Sequence, residues 1–148
     1  MSSVVVVVGD ATLDVHVSPM RPLALRSDVP AEIRMRPGGQ GANLAVRLAR
    51  RGVPVTLVCT LADDPAGRMV REALAEDVVS VEALPADATG VIVVIGDESG
   101  ERSMLSHRAS IPPDVAATVE GLSPAWLLVS GYALLQPDAS ALASGLAA

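Results

Sequence analysis

The chain has 148 residues, half of them hydrophobic, which is enough for one domain with a real core and short for two. Eleven basic against seventeen acidic residues leave a formal charge of −6, and Trp126 and Tyr132 are the only aromatics. That balance argues against a nucleic-acid partner, which would favour a basic face with stacking aromatics, and the apolar content argues against disorder.

The single cysteine, Cys59, lies in a Val-rich run and reads as a buried small hydrophobe. No cationic leader opens the chain, and the Val4–Val8 run is too short to span a bilayer. A soluble, cytoplasmic protein without a membrane partner is expected.

Val4 to Val8 is a continuous β-branched run ended by Gly9-Asp10, which suits a strand buried on both faces, the usual first strand of a parallel sheet. From Ala11 to Ser18 polar and apolar residues alternate, so Thr12, Asp14, His16 and Ser18 share one face and Leu13, Val15 and Val17 the other. A carboxylate just past the carboxyl end of a buried strand is where open α/β sheets bind ligands, so Asp14 is a candidate ligand contact. Pro19 to Arg36, with its prolines and its alternating end, predicts a peripheral antiparallel flap carrying Glu32, Arg34 and Arg36 on one face.

Gly38-Gly39-Gln40-Gly41-Ala42-Asn43 then opens an amphipathic helix that Gly52 stops. Free N–H groups and the positive dipole end at such an entry make a polar wall for an oxygen-rich ligand. Arg47, Arg50 and Arg51 cluster late, where cations suit the helix end, and read as solvated. Val55 to Cys59 is the next core strand, and Asp63-Asp64-Pro65 predicts an acidic cap and a helix over Ala66 to Glu76. Val78 to Leu84 is a short strand, and Val91 to Ile95 reads as a third core-like run.

Gly96 to Gly100 is a hairpin-type turn, and the extended segment after it puts Arg102, Met104, Ser106 and Arg108 on one face. Either arginine would pair with an anionic substrate group or be solvated. His16 and His107 lack metal-ligand spacing, and no metal site is expected. Pro112-Pro113-Asp114 opens a helix to about Glu120, Trp126 to Val129 is the fourth core-like strand, and Pro137-Asp138 starts a helix running to Ala148.

Taken together, these motifs resemble the N-terminal half of a PfkB/ribokinase-type carbohydrate kinase. The resemblance rests on Gly9 to Asp14 (Gly-x-x-x-x-Asp), Gly38 to Asn43 (Gly-Gly-x-Gly-Ala-Asn), Asp63 to Gly67, Gly100 to Arg102 and Ser130 to Tyr132, in that order. It implies a Rossmann-like three-layer α/β/α sandwich, ribokinase-like, with a small β-sheet lid. Residues 1–148 would form one partial domain with lid segments at about 12–36 and 97–108.

The resemblance also implies transfer of the ATP γ-phosphoryl group, with Mg²⁺, to a hydroxyl of a sugar or similar molecule. Asp14 would bind sugar hydroxyls, Gly38, Gly39 and Gln40 would supply the backbone wall, and Asn43 would bind from the first helical turn. Thr12 and the lid residues, Arg102 and Arg108 among them, would line the same pocket. Lid strands in this family often pair between subunits, which implies a homodimer.

Where many relatives continue Gly-Ala-Asn after the position of Arg108, this chain has Ala109-Ser110-Ile111. The family's Gly-Ala-Gly-Asp motif, with its catalytic base and most of the nucleotide site, is expected beyond Ala148. The chain is therefore read as the substrate-binding half, inactive alone, the alternative being a non-catalytic sugar-binding or regulatory half-domain acting with a partner chain. A dinucleotide-binding reading fails because Gly39 to Leu44 lacks the third glycine and does not follow the first strand directly.

Overall fold

The computed structural model describes residues 4–24, 26–97, 99–112 and 114–147. The Val-rich run forms β1 (Val5–Val8), the central strand of a parallel four-stranded sheet. β1 lies between β4 (Val55–Thr60) and β8 (Trp126–Val129), and β5 (Ser80–Leu84) pairs with the far side of β4. Strand period divides β1 between two cores. Val5 and Val7 pack with Ala42, Ala45, Leu57, Val70 and Leu74, while Val6 and Val8 pack with Val58, Val115, Val119 and Leu142.

The first core lies under α1 (Gln40–Ala49) and α2 (Pro65–Glu76), the second under α3 (Val115–Leu122) and α4 (Ala139–Ala147). This is the three-layer sandwich expected from the sequence. Cys59 is buried in the first core, where desolvation pushes its thiol up to about 12, well away from a reactive thiolate.

A second sheet, ordered β3-β2-β6-β7, stands on this sandwich as a lid. β2 (Thr12–Pro19) and β3 (Ala31–Gly38) are antiparallel, as are β6 (Gly90–Gly96) and β7 (Arg102–His107), and β2 and β6 run parallel. The sequence pattern assigns Val91 to Ile95 to the core sheet, but β6 pairs with β2 and β7 in the lid instead. The run is an inner lid strand, with Ile92 and Val94 buried on one face and Val91, Val93 and Ile95 half-buried on the other. The weaker Ser80–Leu84 segment takes the fourth place in the core sheet, beginning two residues later than expected.

The helix ends follow local chemistry. Gly52, at φ 76°, closes α1, with its own N–H bonded to Ala49 O and the Val53 N–H to Leu48 O. α2 closes in the same way, with Val79 N–H on Leu74 O, but its left-handed residue is Val78 (φ 59°), an unfavourable position for a β-branched side chain. α3 runs through Gly121 to Leu122, past the expected stop, and ends at left-handed Ser123. A 3₁₀ turn at Gly131–Leu135, not anticipated, follows β8. Pro113, Glu98 and Ala148, placed by the sequence in a helix start, a turn and a helix end, lie outside the described residues.

At the start of α2, Asp64 caps the helix by accepting the Gly67 N–H (2.7 Å). Its other carboxylate oxygen accepts the Thr89 N–H (2.9 Å), tying α2 to the residue before β6. These backbone bonds, Thr89's first and then Gly67's, hold the Asp64 carboxyl below its ordinary value of 3.8. A depressed carboxyl stabilises the fold above its unfolded pKa and loses that contribution as pH falls through the folded value. Asp64→Ala should therefore cost about 1 kcal/mol at neutral pH, and the gap in urea midpoint should close in acid. A gap that stays constant from neutral pH into acid would contradict this assignment.

Candidate functional site

The site is built on the turn that leaves β1. The Asp10 carboxylate folds back onto the start of α1, where Oδ2 accepts the Gln40 N–H (3.2 Å) and Oδ1 the Gly41 N–H (3.3 Å). The Asp10 carbonyl accepts the Ala42 N–H (3.0 Å). Three of the four free N–H groups of a helix start are thus bonded to one residue some thirty positions away in sequence. The positive end of the helix dipole adds to the attraction for the carboxylate.

The glycines permit this approach. Gly39 sits at φ 95°, and a Cβ there would strike the Asp10 carbonyl. A Cβ on Gly41 would lie 2.7 Å from the Gly9 backbone, and one on Gly38 would occupy the space of the Asp14 carboxylate.

Two more elements converge on Asp10. Ser130, just past β8, places Oγ 3.0 Å from Asp10 Oδ1 and 2.8 Å from Gln40 Oε1, so its single proton serves one acceptor at a time. Arg108, just past β7, donates through Nη1 to Asp10 Oδ2 (3.2 Å) and lies over the Tyr132 ring, 4.3 Å from its centroid. One carboxylate therefore joins β1, α1, the lid and the end of β8. Sequence reading gave Asp10 no role beyond ending the first strand, and it took the α1 start as an open wall. The Gln40 N–H is committed to Asp10, and the Gln40 side chain reaches Ser130 and the Tyr132 N–H.

In front of this junction lies a cleft of about 510 Å³ between lid and sandwich. Of the residues singled out in the sequence, Thr12, Asp14, Gly39, Gln40, Asn43 and Arg108 line it. Gly38 lies beneath the Asp14 side chain. Thr12 is buried and donates its hydroxyl to Asp14 Oδ1 (2.8 Å), which fixes that carboxylate while Asp14 takes part in no ion pair among the described residues. Asn43 presents its side chain from the first turn of α1.

Arg102 does not join them. It begins β7, opposite Gly96, roughly 20 Å along an extended strand from Arg108, and lines a separate groove with Pro19, Arg21 and Asp97. Arg47, read from the sequence as a solvated helix-end cation, lines the cleft one turn beyond Asn43. Its i, i+4 spacing from Asn43 is the signal that would have placed it there.

The sequence profile described as "pfkB family carbohydrate kinase" matches residues 2–139. The chain belongs to the pfkB family of carbohydrate kinases. It is 33% identical over 141 residues to a fructokinase of Klebsiella pneumoniae, covering 90% of this chain and 42% of that relative. It is also 32% identical over 106 residues to a fructokinase of Salmonella typhimurium, covering 70% of this chain and 31% of that one.

Among solved structures, Arabidopsis thaliana ribokinase complexed with ribose and ATP superposes with a TM-score of 0.78 at 24% identity, over 99% of this chain and half of that one. Cryptococcus neoformans ribokinase in complex with ADP gives 0.71 at 28% identity, over 97% and 44%. The chain thus spans half or less of the length of these relatives.

If the Asp10–Arg108 pair fastens lid to sandwich, removing both partners should be less than additive. Both side chains are sheltered, Asp10 at 11% and Arg108 at 32% exposure, so the pair escapes full solvent screening. A double-mutant cycle of Asp10→Asn and Arg108→Gln, read by urea unfolding, should give a coupling of about 1 kcal/mol. Additivity within about 0.3 kcal/mol would show that the contact fastens nothing.

Proposed function

We propose that this chain is the acceptor-holding half of a sugar kinase that transfers the ATP γ-phosphoryl group to a hydroxyl of a sugar or sugar-like molecule. The observation that carries the reading is the convergence of Asp14, fixed by Thr12, and Asn43, on the first turn of α1, in one cleft under the lid. Asp14 accepts hydrogen bonds from substrate hydroxyls, and Asn43 both donates and accepts. Such an array orients a polyol so that one hydroxyl is held in place, which is most of what phosphoryl transfer asks of the acceptor side. Membership of the pfkB family and the names of its fructokinase relatives support this reading.

The N–H groups at the start of α1 that would suit a phosphate are already bonded to Asp10, so this helix start does not fit a nucleotide phosphate. The chain's part is therefore to bind and orient the acceptor, and the activating base and the nucleotide contacts come from elsewhere.

A second reading, a non-catalytic sugar-binding half-domain working with a partner chain, is favoured by the flank of β8. There Trp126 is 68% exposed and Leu135 78% exposed, beside an edge that bonds only to β1 among the described residues. A homodimer through the lid strands is also part of the proposal. It is supported by the exposed Ile33, Met35 and Leu105 on the lid's apolar face.

Calorimetry of the purified chain with fructose should show weak binding, lowered about tenfold or more in Asp14→Ala and in Asn43→Ala. Equal binding by parent and variants would remove both residues from the site. The pure chain should also turn over no ATP with any sugar, and measurable phosphorylation would overturn the half-site reading.

A further inference from the structure

The Asp14 carboxylate stands on a row of small residues that crosses three lid strands. Thr12 of β2 lies beside Gly38 of β3 on one side and Gly90 of β6 on the other, and all three are buried. The space over Gly38 is filled by the Asp14 carboxylate, and a Cβ added to Gly90 would come within 3.0 Å of the Thr12 methyl carbon. Gly90 thus makes room for the methyl, and the Thr12 hydroxyl, turned the other way, donates to Asp14 Oδ1 (2.8 Å). Paired positions in neighbouring strands share a face, so a side chain at 90 would compete with Thr12 for that space. A β-branched side chain has few χ1 wells, so displacing the methyl also takes the hydroxyl off Asp14.

Gly90 is itself held from behind. Thr89 is buried, donates its N–H to Asp64 Oδ2 (2.9 Å) and accepts the Ala62 N–H on Oγ1 (3.1 Å). Asp64 caps α2, so the sandwich fixes the point at which β6 enters the lid. Contact runs from the α2 cap through Thr89 and Gly90 to Thr12, and from Thr12 to Asp14.

We infer, on the reading of the cleft as a sugar-acceptor site, that Gly90 and the Asp64–Thr89 anchor behind it are positioning residues for acceptor binding. None of the three lines the cleft. They act by keeping Thr12 in the rotamer that donates to Asp14, so that the carboxylate is already aimed when a hydroxyl arrives. An Asp14 side chain released from Thr12 samples other rotamers, and the acceptor must then order it, which weakens binding. The anchor therefore has two separable effects: it stabilises the start of α2, and it sets affinity through a methyl group on another strand.

The test uses the full chain as the parent, as Gly90→Ala, as Gly90→Ala combined with Thr12→Ser, and as Asp64→Asn. Calorimetry reads fructose affinity, three-bond NMR couplings to the Thr12 methyl carbon read its χ1, and thermal melting checks the fold. In the parent Thr12 should hold one rotamer. Gly90→Ala should change or average that rotamer and weaken fructose binding about fivefold or more. Thr12→Ser removes the methyl and keeps the hydroxyl, so the double variant should return to within about twofold of the parent. Asp64→Asn keeps the oxygen that caps Gly67 and turns an amide toward the Thr89 N–H, so it should weaken binding about twofold or more. Unchanged affinity in a folded Gly90→Ala would overturn this inference and leave the acceptor site standing. Weakened binding with the Thr12 rotamer unmoved, or no recovery in the double variant, would overturn it as well. If Gly90→Ala does not fold, Asp64→Asn decides, and an affinity equal to the parent's overturns the inference. Absence of fructose binding by the parent would overturn both the inference and the acceptor site.

Discussion

The Asp10 carboxylate, set on the first N–H groups of α1, is the interaction on which the cleft depends. A helix start in a packed interior needs partners for its free donors, and most helices find them in a capping side chain close by in sequence. At Gly39 there is no side chain to cap with, and the helix takes its cap from the end of β1 instead. That exchange lets the helix approach the strand end closely enough that Gly9 and Gly41 leave no room for a Cβ. The same carboxylate meets Ser130 from β8 and Arg108 from the lid. Four elements are thereby referenced to one pair of oxygens.

Two aspartates four residues apart consequently do different work. Asp10 is satisfied by donors within the chain, whereas Asp14, one face of a lid strand away, is held by Thr12 and left open to the cleft. A group already bonded internally orients the site, and a group left open selects what enters it. The lid strand that carries Asp14 also carries His16 and Ser18, and it is joined to β3 along its whole length, so Asp14 is fixed to the lid sheet and Asp10 to the sandwich.

Much of the fold was legible because its periods are strong. The four valines of β1, the Asp-Pro start of α2 and the glycine that ends α1 each state a local rule that tertiary packing obeys. Val91 to Ile95 misled because an unbroken apolar run looks the same in a core sheet and in a lid strand covered on one face and shielded on the other. Ser80–Leu84 is an edge strand with mixed burial, and its pattern is correspondingly faint. The motif located the cleft, and β2 alternation put Asp14 on its polar face. Asp10 was not legible, because its partners lie 30, 31, 98 and 120 residues away and only the folded chain assembles them. Alternation grouped Arg102 with Arg108, but β7 has length as well as faces, and the two side chains end up beside different cavities.

Amide hydrogen exchange tests the central claim most directly, residue by residue. With Asp10 in place, the Gln40 and Gly41 amides should be protected, although a glycine-opened helix start would normally exchange freely. In Asp10→Ala their protection should fall by at least about tenfold more than that of the Leu57 and Val58 amides in β4, which serve as the internal reference for global opening. Equal changes at both places, or no protection at Gln40 and Gly41 to begin with, would contradict the account in which one carboxylate sets the geometry of the cleft.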